Sequence, residues 1–173
     1  LNFPGCVKLL GPAFPGMQAT GGARVPGTQF ELDPVSAAFN IATMIRWLDF
    51  NDSLSTDQGG HPSDNLGGIL AVADYLSRKR LADGKPLLLM RDVLTALIKV
   101  YEIQGVLSLG NNFVRVGYDF VILPKVALTA VAAHMLGGSR EQIVNAVSNA
   151  WADGVSLTIY RQGDNTGPRM NWA

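Results

Sequence analysis

The residues best suited to chemistry are gathered in one stretch, Asp49-Phe50-Asn51-Asp52-Ser53, followed eight residues later by His61 and then Pro62-Ser63. A carboxylate can orient an imidazole or raise its basicity, and either group moves protons near neutral pH. Asp49 and His61 are therefore the candidate acid–base pair. Asn51, Asp52, Ser53 and Ser63 supply hydroxyl, amide and carboxylate groups around it. A metal site built from Asp49, Asp52, Asp57 and His61 is a weaker alternative, because the spacing matches no specific ligand motif. Further cations that would suit a carboxylate substrate are Arg46, Arg115, Lys125, Arg161 and Arg169. Cys6 has no base beside it in the sequence. His134, within an apolar run, is expected to tuck against a core. Trp47, Trp151 and Trp172 are expected to serve packing.

Two helices must position the central stretch. Asp33-Pro34 opens the first, with Asp33 as N-cap and proline at the first helical position, where its missing N–H costs nothing. Ala38, Ile41, Ala42, Ile45 and Leu48 recur at helical spacing, which predicts a helix running to about Phe50. Asp49 would then lie at the C-terminal end, against the helix dipole, a cost that a partner cation would offset. The polar gap Leu54–Gly60 ends in two glycines. A second helix is expected from about Ser63, its N-cap, to Ala82, and its free N–H groups could hold a carboxylate. Gly67-Gly68 in its first turns weakens the helix and points to close approach by a ligand or another backbone.

The rest of the chain reads as helices joined by loops. Residues 1–33 are rich in Gly-Pro turns, with a short extended piece around Thr28–Leu32. Helices are expected over Leu89–Leu107 and Val121–Leu136, with Pro124 tolerated in the first turn of the latter. Ser139 and Gln142 form a capping box that opens a helix to about Ala152. The segments 109–120 and 156–173 are irregular. No reliable alternating strand and no internal repeat is visible, so the class is all-α.

Composition narrows the function. Fourteen basic and fourteen acidic residues cancel and form no basic stripe, which gives no sign of nucleic-acid binding. Apolar runs are interrupted well before membrane-spanning length, so a soluble protein is expected. One cysteine permits neither an internal disulfide nor a multi-cysteine zinc site. Position 1 is not Met and the chain stops at Asn171-Trp172-Ala173, so a piece of a longer protein is expected.

The run from Ile45 to Asp52 followed by His61 to Gly68 closely resembles the MmgE/PrpD family. The resemblance extends through Cys6–Pro12, Arg24–Phe30, Glu102–Gly105, Arg115–Gly117 and Asn165–Gly167, nearly the whole chain. It implies a central piece of a large helical domain without the family's smaller α/β domain: 1–33 a loop-rich approach, 34–154 helices, 155–173 an irregular active-site-type segment. It further implies a hydro-lyase that converts 2-methylcitrate to 2-methyl-cis-aconitate in propionate breakdown, without cofactor, metal or iron–sulfur cluster. The substrate is a small tricarboxylate and the assembly a homodimer, in the cytoplasm or, in a eukaryote, the mitochondrial matrix. By this resemblance Asp49 and His61 take the acid–base positions, and Ser53 stands where a substrate-contacting threonine is usual. Arg161 and Arg169 fall near the substrate. The chain departs from the family pattern at Phe120 and Met170, where a histidine and a lysine are expected, and at Gly110 and Gln162, where Glu and His are expected. Two other readings remain open: a cis-aconitate decarboxylase, which the same family contains, and a non-catalytic helical member.

Overall fold

A computed structural model describes residues 2–154 and 156–161, with the side chains of Tyr160 and Arg161 excepted. The side chain of Arg161, and all of Gln162, Arg169, Met170 and Trp172, thus lie outside the described residues. Among the described residues the chain forms six α-helices and one two-stranded hairpin: α1 Pro4–Val7, β1 Ala23–Arg24, β2 Glu31–Leu32, α2 Pro34–Arg46, α3 Leu66–Ala82, α4 Met90–Ser108, α5 Ile122–Met135 and α6 Arg140–Ala152. The all-α expectation holds. The extended piece around Thr28–Leu32 contributes only β2, which pairs antiparallel with β1 through Ala23–Leu32 and Arg24–Glu31.

Local signals set most boundaries. The Asp33 carboxylate accepts from the N–H groups of Val35 and Ser36 at 2.9 and 3.0 Å, fixing the start of α2. Asp92 reaches back to the Leu89 N–H at 2.8 Å and does the same for α4. At α6 the expected reciprocal box forms: Ser139 Oγ accepts from Gln142 N at 3.2 Å, and Gln142 Oε1 accepts from Ser139 N at 2.8 Å.

Three apolar clusters hold the helices together. Ala23, Val25, Leu32, Ala37, Ile41 and Ala71 join the hairpin to α2 and α3. Ile69, Ala96, Val100, Ala127 and Val131 join α3, α4 and α5. Ile122, Leu123, Val126 and Ala150, with Phe113 and Trp151 against them, join α5 to α6. The Gly67 expectation resolves in favour of a backbone. A Cβ there would stand 2.9 Å from Ala38 O and Ala42 N, so glycine is what lets α3 lie against the main chain of α2. Outside the cores, two ion pairs clamp the hairpin to α3: Arg24 with Asp74 at 2.5 Å and Arg78 with Glu31 at 2.8 Å. Burial pushes the Asp74 carboxyl up, but the Arg24 hydrogen bonds outweigh it and hold the group below the usual range.

Three expectations need correction. Helix α2 stops at Arg46 rather than near Phe50, because Asp49 adopts a left-handed φ of 56° that no α-helix can continue. Ser63 is not an N-cap: it sits in the 3₁₀ turn Pro62–Asn65, and α3 begins at Leu66 with no side-chain cap. His134 is exposed on the last turn of α5 and is not tucked against the core.

Candidate active site

The candidate residues sit on the junction between α2 and α3, from Trp47 to Asn65. Its first corner follows from charge. Arg46 is only 1 % exposed, and its guanidinium lies between two carboxylates, 2.9 Å from Asp49 Oδ1 and 3.6 Å from Asp64 Oδ1. A buried guanidinium must be paired, and here the pairing ties the end of α2 to the turn that precedes α3. The Asp49 N–H also donates to Arg46 O at 3.1 Å. Aspartate is among the few non-glycine residues that tolerate the left-handed region, so the reversal and the ion pair are compatible. The cation expected to offset Asp49 is therefore Arg46, three residues earlier.

The second corner carries His61. Its Nδ1 lies 2.6 Å from the main-chain oxygen of Asp52. A carbonyl can only accept, so Nδ1 bears the proton and the neutral ring keeps Nε2 as its basic nitrogen. The Asp52 carboxylate accepts from Ser63 N at 3.1 Å, and Asn51 Nδ2 donates to Ser63 Oγ at 2.9 Å. Asn51, Asp52, Ser63 and His61 are thus brought together. The N–H of Ser63, expected to be open to a substrate carboxylate, is already used by Asp52. Ser53 is exposed nearby in the chain, and its side chain makes no hydrogen bond among the described residues. Phe120 stacks edge-on against the His61 ring, with centroids 5.6 Å apart and planes at 79°.

The intervening loop is pinned at both ends. Leu54 N donates to Gly60 O at 3.0 Å, Asn112 Nδ2 donates to Asp57 O at 2.6 Å, and Gln58 Oε1 accepts from Phe113 N at 2.5 Å. Two residues of α4, three positions apart, reach the same junction. Gln104 is fully buried and accepts from Asn65 Nδ2 at 3.0 Å. Tyr101 lies against Asp52; burial, then the hydrogen bond to that carboxylate, pushes its phenol up to about 12. Both fall within the helix expected over Leu89–Leu107, where neither is assigned a role. The signal was there, since a glutamine inside an apolar stripe must find a buried partner.

The remaining candidates lie elsewhere or serve structure. Arg115 is exposed in the 3₁₀ turn Phe113–Val116. Lys125 donates to the Asp153 and Gly154 carbonyls, closing the C-terminal end of α6. Cys6 is buried, which pushes its thiol up. Trp47 fills the space beside Gly5, and Trp151 packs against Phe113. Among the described residues no three His, Cys, Asp or Glu side chains are grouped to hold a metal.

An all-α domain whose longest described interhelical junction carries a tautomer-fixed histidine and a left-handed aspartate has the makings of an acid–base enzyme domain. The chain belongs to the MmgE/PrpD family: residues 1–173 match the MmgE/PrpD N-terminal domain. Along its whole length it is 62 % identical to 2-methylcitrate dehydratase of Escherichia coli strain K12 and 60 % identical to that of Cupriavidus necator. It is 51 % identical, over 175 aligned residues, to the mitochondrial 2-methylcitrate dehydratase of Yarrowia lipolytica. It spans 36 % of the length of the two bacterial relatives and 34 % of the yeast one.

Proposed function

We propose that this chain supplies the acid–base loop of a hydro-lyase that dehydrates 2-methylcitrate to 2-methyl-cis-aconitate in propionate catabolism. The observation that carries the reading is the His61 ring, held with Nδ1–H on the Asp52 carbonyl and Nε2 left basic. High identity to three 2-methylcitrate dehydratases supports the choice of substrate. In the reaction a base removes the proton alpha to a carboxylate, and the electron pair of that C–H bond forms the C=C bond. The C–O bond breaks, and an acid delivers a proton to the departing hydroxide, releasing water. Asp49 and His61 share these proton transfers. Asn51, Asp52, Ser53 and Ser63 line the substrate on this junction, and Arg161 and Arg169 oppose its carboxylates, where charge develops in the transition state.

In this reading residues 1–173 form part of one helical domain of a longer chain. The longer protein works as a homodimer in the cytoplasm, or in the mitochondrial matrix of a eukaryote. Among the described residues no helix is long and apolar enough to cross a membrane.

A second reading, a non-catalytic member, draws on Phe120, whose ring faces His61 at a position where the resemblance implies a histidine. One assay separates the two. The chain, extended to the length of its relatives, is given 2-methylcitrate with chelator present, and the conjugated product is followed by ultraviolet absorbance. Turnover that disappears with Asp49→Ala supports the hydro-lyase. A folded, inactive protein that gains turnover with Phe120→His plus Met170→Lys supports the degenerate site.

A further inference from the structure

The junction is held on its outer side by its own hydrogen bonds and on its inner side by α4, where one residue stands out. Gln104 is 0 % exposed, and its Oε1 is taken by Asn65 Nδ2 at 3.0 Å. Asn65, itself 1 % exposed, uses the same nitrogen to donate to Pro62 O at 2.9 Å. The carboxamide of Gln104 therefore grips the 3₁₀ turn that directly follows His61. On the other side of His61, Gly60 passes over the same group: a Cβ there would stand 3.1 Å from Gln104 Nε2 and 3.7 Å from Phe120 Cδ2. Gly60 has a φ of +130°, so the chain turns over Gln104 in a conformation that favours glycine. The residue before His61 and the turn after it thus rest on one rigid, buried amide.

We infer that Gln104 is a positioning residue for His61: by fixing the corner from Gly60 to Asn65, it keeps Nδ1–H on the Asp52 carbonyl and leaves Nε2 to carry the proton. A hydrophobic side chain of the same length would fill the space but leave Asn65 without its second acceptor. The corner would then drift, and the 2.6 Å contact from Nδ1 to Asp52 O, which needs the ring in one orientation, would weaken first. The effect on turnover rests on the proposed role of His61; the effect on the ring does not.

The test is ¹⁵N spectroscopy of the histidine rings in this chain, which has two histidines, so exposed His134 serves as internal reference. In the unaltered chain His61 is expected as the Nδ1–H tautomer. Gln104→Met is expected to move it toward the Nε2–H form that a free side chain favours, leaving His134 unchanged. Gln104→Glu, which keeps an acceptor oxygen for Asn65, should retain the Nδ1–H form. Ser139→Ala, a cap deletion on α6, should lower stability without moving either ring. If Gln104→Met does not fold, Asn65→Ser breaks the same pair from the other end and should give the same tautomer shift. In the enzyme extended to its relatives' length, Gln104→Met should lower kcat about tenfold to a hundredfold with KM changed less than about twofold, the signature of a misplaced proton carrier. A folded Gln104→Met chain whose His61 stays Nδ1–H would overturn the inference, as would a Gln104→Glu chain that shifts as far as Gln104→Met. An intact ring response combined with full activity of His61→Gln would leave the positioning intact and remove the functional reading instead.

Discussion

Two of the connections between the long helices are built in opposite styles. Between α5 and α6 it needs only Leu136 to Ser139: Gly137 takes a φ of +86°, and Ser139 and Gln142 close the next helix reciprocally. Every device is local, and each residue does what its type favours. Between α2 and α3 it uses Trp47 to Asn65. There a non-glycine residue adopts a left-handed φ, an arginine is buried, and the amides of Asn51, Gln58, Asn65 and Gln104 each keep a buried polar atom without a hydrogen bond among the described residues. A connection that served folding alone would resemble the first. The second carries strain and incomplete pairing, features that concentrate where chemistry is done.

The sharpest way to break the contrast is to remove the charge at its centre. Arg46→Met leaves Asp49 and Asp64 without their buried cation and should cost about 3–5 kcal/mol, read from the urea midpoint. A loss below about 1 kcal/mol would mean that the ion pairs are screened like surface ones. Ser139→Ala at the short junction should cost only about 1 kcal/mol. Asp49→Ala should be less stable than Asp49→Gly by about 1 kcal/mol, because both lose the carboxylate and only alanine keeps the left-handed strain.

A further effect lies at high pH. Burial, then the hydrogen bond to Asp52, pushes the Tyr101 phenol up from its ordinary 10.0 to about 12, so the folded state favours the protonated phenol. Its contribution to stability is therefore fully present below about pH 10 and is lost as pH rises toward 12. Tyr101→Phe should flatten the stability profile across that window, measured by denaturation at successive pH values. An unchanged profile would place the phenol in solvent.

Much of this was legible in the sequence, for a physical reason. Asp33-Pro34 and the Ser139–Gln142 box act over three or four residues, so α2 and α6 start where those residues predict. The end of α2 escaped because Leu48 continues the apolar period. The stop is made by the left-handed φ of Asp49, which no nearby residue type announces. Phe50, left 89 % exposed, has no core to follow. Ser63 misled because a serine before an apolar run is a cap signal, whereas here its groups serve Asn51 and Asp52. Asp49 and His61 were visible by residue type. The Nδ1 partner was not, because a main-chain carbonyl leaves no mark on the residue types. The support from Gln104 was not, because Asn65 and Gln104 lie 39 positions apart.

The chemistry of the long junction centres on His61. The most direct measurement compares 2-methylcitrate dehydration by the chain extended to its relatives' length with that of its His61→Gln and Ser139→Ala variants, with thermal unfolding followed on the same samples. The expected result is a loss in kcat/KM of about a hundredfold or more for His61→Gln at unchanged stability, and lowered stability at unchanged rate for Ser139→Ala. Full activity in a folded His61→Gln protein would contradict the assignment of chemistry to the long junction.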